Sequence, residues 1–142
     1  MRMDISCADG YLVMKQLVQM LLTPARARIL LGLDLIAVSA LAFMPGPEVP
    51  MTTHWDKGDH TLAFFSLSLL ARLAWPRQPF WRIALALVGY GVFIEIVQAF
   101  LPTRDAEALD VLADSTGIAL FVFCAWLYRK FNAAYLLKRS PT

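Results

Sequence analysis

Three pairs of polar residues stand at helical spacing in otherwise apolar parts of the chain. Each pair is separated by three or four residues, so its members share one face of a helix. The pairs are Asp56 with His60, Glu95 with Gln98, and Asp110 with Asp114. Carboxylates and an imidazole in such surroundings suit general acid–base chemistry or the binding of a divalent cation. If their helices pack into one bundle, the three pairs face one cavity.

Glu95 is the acidic residue whose position most needs an explanation. It stands among apolar neighbours, six residues before Leu101, or about 9 Å along a helix. A carboxylate at such a depth in a membrane is costly and should face the interior of the bundle. Structural pairing with Arg104 is the alternative to a functional role.

The residue types suggest a role for each member of this cluster. The predicted catalytic residues are His60 or Glu95 as general base, with Asp110 orienting His60 or holding a cation. The predicted phosphate-binding and substrate-binding residues are Lys57, Arg104 and Gln98, because cations and amide donors fit phosphate oxygens. The predicted supporting residues are Asp56, Asp114 and Gly117, the last allowing close helix packing. Candidate ligands for Mg²⁺ or Ca²⁺ are Asp56, Glu95, Asp110 and Asp114.

Several of these polar residues also have structural interpretations. Asp56 could cap the helix that follows it. Glu107 is interpreted as a solvated loop charge. Asp34, which is too far along its own span to join the cluster, is predicted to pair with Arg28 or Arg82.

The composition indicates that lipid, rather than water, surrounds the elements that carry these residues. The chain has 142 residues, of which 58% are hydrophobic and 17% charged, with a mean hydropathy of +0.56. A water-soluble domain would need more polar surface. Apolar stretches delimited by prolines predict an all-α, polytopic membrane protein with a four-transmembrane-helix bundle. The predicted spans are 24–44, 60–75, 80–101 and 108–128.

The distribution of charge predicts the orientation of these spans. With both termini on one side, that side holds eleven of the thirteen basic residues, and only Lys57 and Arg104 lie towards the other. The positive-inside rule makes the basic side cytoplasmic. Eight of the eleven acidic residues lie towards the outer face, together with the polar cluster.

The remaining segments complete the predicted organisation. Residues 1–22 form a cytoplasmic or interfacial segment in which 11–22 could be an amphipathic helix. Residues 23–130 form the membrane domain and 131–142 a cytoplasmic tail. Cys7 and Cys124 have neither disulfide-framework nor zinc spacing, and no nucleic-acid partner is expected.

In this order, the polar motifs resemble those of the VanZ-like family of bacterial integral membrane proteins. The matching segments are Asp-Lys-Gly-Asp-His at 56–60, Glu-Ile-Val-Gln-Ala-Phe-Leu-Pro-Thr-Arg at 95–104, and Asp-Val-Leu-Ala-Asp-Ser-Thr-Gly at 110–117. Asp114 departs from the pattern, because the family usually has asparagine there; an amide donor is replaced by a possible charge. The resemblance, over residues 28–128, implies a bacterial cytoplasmic membrane and, for the founding member, glycopeptide (teicoplanin) resistance.

Two functions remain open at this point. The first is a hydrolase or transferase that acts on phosphate-linked lipid headgroups or lipid-linked cell-envelope precursors at the outer face. The second is a non-catalytic protein of the cell envelope that binds or transports a lipid or an antibiotic. A purely structural role for the acidic residues is a third interpretation. Membrane lipids are the expected partners in either function.

Overall fold

The computed structural model describes residues 23–45, 56–102 and 107–137, with side chains as far as residue 132. These residues form four helices: α1, Pro24–Phe43; α2, Asp56–Ala74; α3, Phe80–Gln98; and α4, Ala108–Leu137. The predicted interfacial helix at 11–22 and residue Arg104 lie outside the described residues. The prediction of an all-α fold is confirmed.

The ends of α1 follow from local sequence signals. Thr23 is the N-cap, and its hydroxyl accepts a hydrogen bond from the backbone N–H of Arg26 at 3.4 Å. Pro24 occupies the first helical position, where its missing N–H costs nothing. The helix ends at Phe43, two residues before Pro45, as predicted.

The other three helices differ from their predicted bounds, and α3 ends at Gln98, three residues before its predicted end at 101. Helix α2 begins at Asp56 instead of residue 60, with Asp56 and Asp59 in its first turn, where acidic side chains stabilise the positive end of the helix dipole. Helix α4 continues to Leu137, nine residues beyond the predicted end. The sequence has neither glycine nor proline between Gly117 and Pro141 that would stop it.

Helix α2 is at the centre of the fold and packs against α1, α3 and α4. Its buried face carries Phe64, Leu67, Ser68, Ala71 and Ala74. Large apolar side chains such as Ile36 on α1, Leu85 on α3 and Phe131 on α4 are more than 60% exposed. By contrast, five polar or charged side chains of the described residues are buried: Ser68, Glu95, Gln98, Asp110 and Asp114. Apolar groups outside and polar groups inside are the arrangement expected in lipid.

Two of the helices are long and apolar enough to cross a membrane. They are α3, Phe80–Gln98, and the Ala108–Asn132 part of α4. Helix α1 contains three charged residues and α2 contains four, which makes both less apolar than a typical span. The helices therefore have membrane character, and α3 and α4 carry it most clearly.

Candidate functional site

His60 and Asp114 form the central pair of the site. His60 lies one turn into α2, and its Nδ1 is 2.9 Å from Oδ1 of Asp114 on α4. The Asp114 side chain is only 1% exposed. An ionised carboxylate can only accept a hydrogen bond, so it fixes the imidazole proton on Nδ1. Nε2 is then left with its lone pair, which is the state that a general base requires.

Asp110 joins this pair to a lysine. One of its oxygens, Oδ1, accepts a hydrogen bond from Lys57 Nζ at 2.8 Å, and the other, Oδ2, is 3.9 Å from His60 Nε2. Asp110 is buried and one helical turn from Asp114, as the four-residue spacing predicts. The predicted grouping of Lys57, His60, Asp110 and Asp114 is thus seen in the structure.

Lys57 also contacts Glu107, just before α4. Its Nζ is 2.8 Å from Oε2 of Glu107, and this ion pair lowers the pKa of the Glu107 carboxyl below its ordinary value. Half of the Glu107 side chain is exposed, which agrees with its interpretation as a solvated loop charge, but its ion pair with Lys57 was not predicted. The sequence could not reveal this pair because fifty residues separate its members.

Two residues without catalytic groups allow α2 and α4 to approach closely. A Cβ on Gly117 would overlap the carbonyl oxygen of Thr61 and lie 3.0 Å from the backbone nitrogen of Phe65. The Thr61 hydroxyl is 2.8 Å from the Lys57 carbonyl oxygen and 3.2 Å from that of Ala113. Gly117 therefore packs as predicted, whereas the bridging role of Thr61 was not foreseen.

Gly91 makes room for Asp114 from the side of α3. A Cβ at this position would lie 2.5 Å from Oδ2 of Asp114. That oxygen is buried and has no hydrogen-bond partner among the described residues. Gly91 is four residues before Glu95, so its position on the inward face could have been read from the helical spacing.

Glu95 is buried and ties α3 to the start of α4. Its Oε2 accepts a hydrogen bond from the backbone N–H of Glu107 at 2.9 Å, and within the described residues Oε1 has no hydrogen-bond partner. Glu95 thus contacts Glu107, and Lys57 in turn links Glu107 to Asp110. Whether it serves as a base stays a prediction, as does its pairing with Arg104.

Gln98 and Asp34 make contacts that the sequence did not indicate. The Gln98 amide donates to the carbonyl oxygen of Ala42, near the end of α1, at 2.9 Å. Its role in substrate binding stays a prediction. Asp34 accepts a hydrogen bond from Ser66 at 2.8 Å; within the described residues it forms no ion pair with Arg28 or Arg82, so that prediction is wrong.

Asp56, His60 and Asp110 are the described residues that could together hold a metal ion. One ligand atom from each lies within 4.8 Å of the others. Two of the four predicted ligands, Asp56 and Asp110, belong to this group, and His60 is added to them. A nitrogen with two carboxylates suits Zn²⁺ or Mn²⁺ better than the Mg²⁺ or Ca²⁺ predicted from carboxylates alone.

The comparisons with known proteins identify the family. The model of the VanZ/LLP1 family matches residues 12–129, which are 118 of the 142 residues. This range contains every residue of the site. Neither the curated proteins nor the solved structures gave a match. The chain belongs to the VanZ/LLP1 family.

Proposed function

We propose that this protein is a membrane enzyme, a hydrolase or transferase, that acts on a phosphate-linked lipid headgroup or a lipid-linked envelope precursor at the outer membrane face. The observation that carries the proposal is the His60–Asp114 pair beside the Lys57–Asp110 ion pair. Together they put a base, His60, and a cation, Lys57, where the N-terminal ends of α2 and α4 meet. Family membership alone does not provide a reaction.

The proposal includes a bundle of four spans with both termini in the cytoplasm. Helices of 19 or 20 residues, such as α1, α2 and α3, are about 29–30 Å long, which matches the hydrocarbon core of about 30 Å. Helix α4 has 30 residues and extends about 45 Å. Its surplus carries Arg129 and Lys130 to the basic side. The His60 end of α2 is then at the outer face.

In this mechanism His60 is the general base, and Asp114 holds its imidazole ring in position. Nε2 of His60 accepts a proton from water or from an acceptor alcohol, whose oxygen attacks phosphorus. The bond from phosphorus to the leaving oxygen breaks, and the leaving oxygen receives the proton from His60. Asp114 accepts the Nδ1–H throughout and stabilises the imidazolium. Asp110 is 3.9 Å from Nε2 and adds to that stabilisation.

Lys57 supplies positive charge for the phosphate oxygens. Its ammonium group is hydrogen-bonded to Asp110 and Glu107, and a phosphate oxygen can replace the half-exposed Glu107 carboxylate. Arg104 is proposed as a second phosphate ligand because its guanidinium is bidentate. Gln98 is proposed as the third phosphate-binding residue.

The site is also suited to a metal ion. Asp56, His60 and Asp110 would hold it, and when bound it would supply Lewis-acid activation of the phosphate. His60 would then be a ligand and Glu95 would take the role of base. The buried Oε1 of Glu95, which has no hydrogen-bond partner among the described residues, is consistent with that alternative.

A binding or transport function is the second candidate, and one observation favours it. Further polar contacts lie within the bundle, where Tyr90 on α3 is hydrogen-bonded to Ser39 on α1 at 2.8 Å. Ser66 donates to Asp34 further from the outer end of α1. An enzyme at the outer face has no need of these buried groups, whereas a proton-coupled transporter does.

Replacement of His60 distinguishes these functions. We would express His60→Gln in cells that lack the native copy and compare their lipids and lipid-linked precursors by mass spectrometry. The matched control is Thr116→Ala, because Thr116 is exposed and its hydroxyl only donates to the Leu112 carbonyl of its own helix. The enzyme proposal expects one phosphate-containing species to accumulate in His60→Gln and not in the control.

Both variants must first be shown to insert and fold, by membrane fractionation and thermal unfolding. The enzyme proposal fails if folded His60→Gln leaves every lipid-linked species unchanged. A purified variant that still binds the accumulating species but no longer converts it supports catalysis. If the wild-type protein also binds that species without converting it, the binding function is correct.

A further inference from the structure

An apolar groove lies at the end of the bundle opposite to His60, between α1 and α3. Its volume is about 510 Å³, within the range of about 300–1,000 Å³ that is usual for ligand pockets. Leu31 and Leu35 form one wall, and Ile83, Ala86 and Leu87 form the other. Tyr90 closes its inner end. The groove shares no residue with the His60 site.

The mouth of the groove is basic and amphipathic. Trp75, Gln78 and Arg82 line it, and the arginine lies over the Trp81 ring at 5.3 Å. Indole rings and arginines are typical of the level where lipid headgroups meet the hydrocarbon. The groove is therefore apolar within and polar at the edge, like a phospholipid.

Three of the arginines at this end are not paired with acidic side chains of the described residues. Arg82 donates to the Gln78 side-chain amide oxygen at 3.4 Å. Arg72 donates to the Gln78 carbonyl at 3.0 Å, and Arg28 to the Ala74 carbonyl at 3.4 Å. Since all three acceptors are uncharged, the mouth keeps its positive charge and is complementary to an anion.

The length of the groove fits an extended acyl chain. Arg82 and Tyr90 are eight residues apart on α3, which is about 12 Å, close to the ~15 Å depth of one leaflet. A lipid whose phosphate lies at Arg82 can therefore extend its acyl chain along the apolar walls towards Tyr90.

We infer that this groove binds an acyl chain of an anionic phospholipid, with the lipid phosphate at Arg82. The inference goes beyond the proposed function and relies on it only for the leaflet, which is the cytoplasmic one. That leaflet carries negative lipid charge. The lipid held here would brace α1 against α3, helices that make only a small contact with each other.

Lipid binding to the purified full-length protein tests the inference. We would measure binding of phosphatidylglycerol and of phosphatidylcholine with identical acyl chains, by native mass spectrometry from detergent. The wild-type protein should prefer phosphatidylglycerol at least fivefold. Arg82→Gln should weaken phosphatidylglycerol binding about fivefold, the effect of about 1 kcal/mol per basic group. Arg77→Gln is the matched control, since Arg77, in the turn between α2 and α3, is at the same end of the bundle but does not line the groove.

A second variant tests the apolar part of the groove. Ala86 is exposed on the groove wall, so Ala86→Trp fills the groove without entering the core. It should abolish binding of both lipids while the protein remains folded. Equal affinities for the two lipids, or undiminished binding by Ala86→Trp, would overturn the inference.

Cross-linking at the groove identifies any competing occupant. The variant Ala86→Cys, with the native cysteines replaced by serine, would carry a photoactivatable group in membranes. Labelling of phospholipid supports the inference. Labelling confined to residues 1–22 or to a second copy of the chain contradicts it.

Discussion

Replacement of Gly117 by alanine tests the contact that positions the site. An added Cβ would overlap the Thr61 carbonyl and crowd the Phe65 nitrogen and the Phe64 Cβ. Rotation of a side chain cannot relieve contacts with backbone atoms and a Cβ. To restore ordinary contact of 3.4 Å or more, α2 and α4 must separate by about 1 Å.

The displacement would reach the His60–Asp114 pair, because Thr61 follows His60 and Gly117 is three residues after Asp114. A 1 Å separation would lengthen the Nδ1–Oδ1 distance from 2.9 Å to about 3.9 Å, beyond hydrogen-bonding range. Overpacking of this kind costs about 1–3 kcal/mol. We therefore expect Gly117→Ala to lower both stability and activity.

Gly89→Ala is the matched control for this experiment. Gly89 is also inside a helix, but an added Cβ there would meet nothing within 4 Å. Both substitutions gain the same helix propensity, up to about 1 kcal/mol, so the difference between the variants measures the clash alone. At about 4 °C per kcal/mol, Gly117→Ala should melt about 4–12 °C below Gly89→Ala in detergent. Equal melting temperatures would refute the close packing of α2 on α4.

Three further predictions concern the polar contacts of the site. Asp114→Asn should be nearly as stable as the wild type, because the amide oxygen still accepts the His60 N–H. Asp114→Leu should lose about 1–3 kcal/mol of unfolding free energy, because the His60 donor is left unsatisfied. Chemical denaturation compares the two variants, and equal losses would contradict the pairing. In the same assay Thr61→Val should lower the free energy of unfolding by about 1 kcal/mol, because the hydroxyl contact between α2 and α4 is lost. An unchanged free energy of unfolding would show that this contact does not stabilise the fold. Glu107→Gln should be less stable than the wild type at neutral pH. Pairing with Lys57 lowers the Glu107 pKa. The stabilisation from this ion pair is therefore present above the ordinary carboxyl pKa of 4.5 and is lost as pH falls through the lowered value. A stability difference between Glu107→Gln and the wild type that does not change with pH would exclude this pair.

The resemblance to the family implies asparagine where this chain has Asp114, and the structure is compatible with either residue. Aspartate and asparagine both have an oxygen that can accept the Nδ1–H of His60. The second oxygen of Asp114 faces Gly91, where a Cβ would be only 2.5 Å away. The contact with His60 therefore needs an acceptor atom at position 114, and either residue supplies one.

The sequence alone determined the helices and the faces on which their polar groups lie. Prolines interrupt helices wherever they occur in the interior, so Pro24, Pro45 and Pro76 set boundaries without help from the rest of the fold. Spacing of four residues placed Asp110 and Asp114 on one face. Because a buried carboxylate needs a polar neighbour, both could be expected to face polar groups of another helix.

Only the tertiary structure decided which atoms meet. Helical periodicity gives the face of each helix but neither the axial register nor the distance between helices. Both are set by shape, such as the absent side chain of Gly117. Hence the sequence did not reveal that Lys57 bridges Glu107 and Asp110, that Ser66 is the partner of Asp34, or that Gln98 binds α1. Each of these contacts joins residues more than thirty positions apart, where a shift of a single helical turn would change the partner.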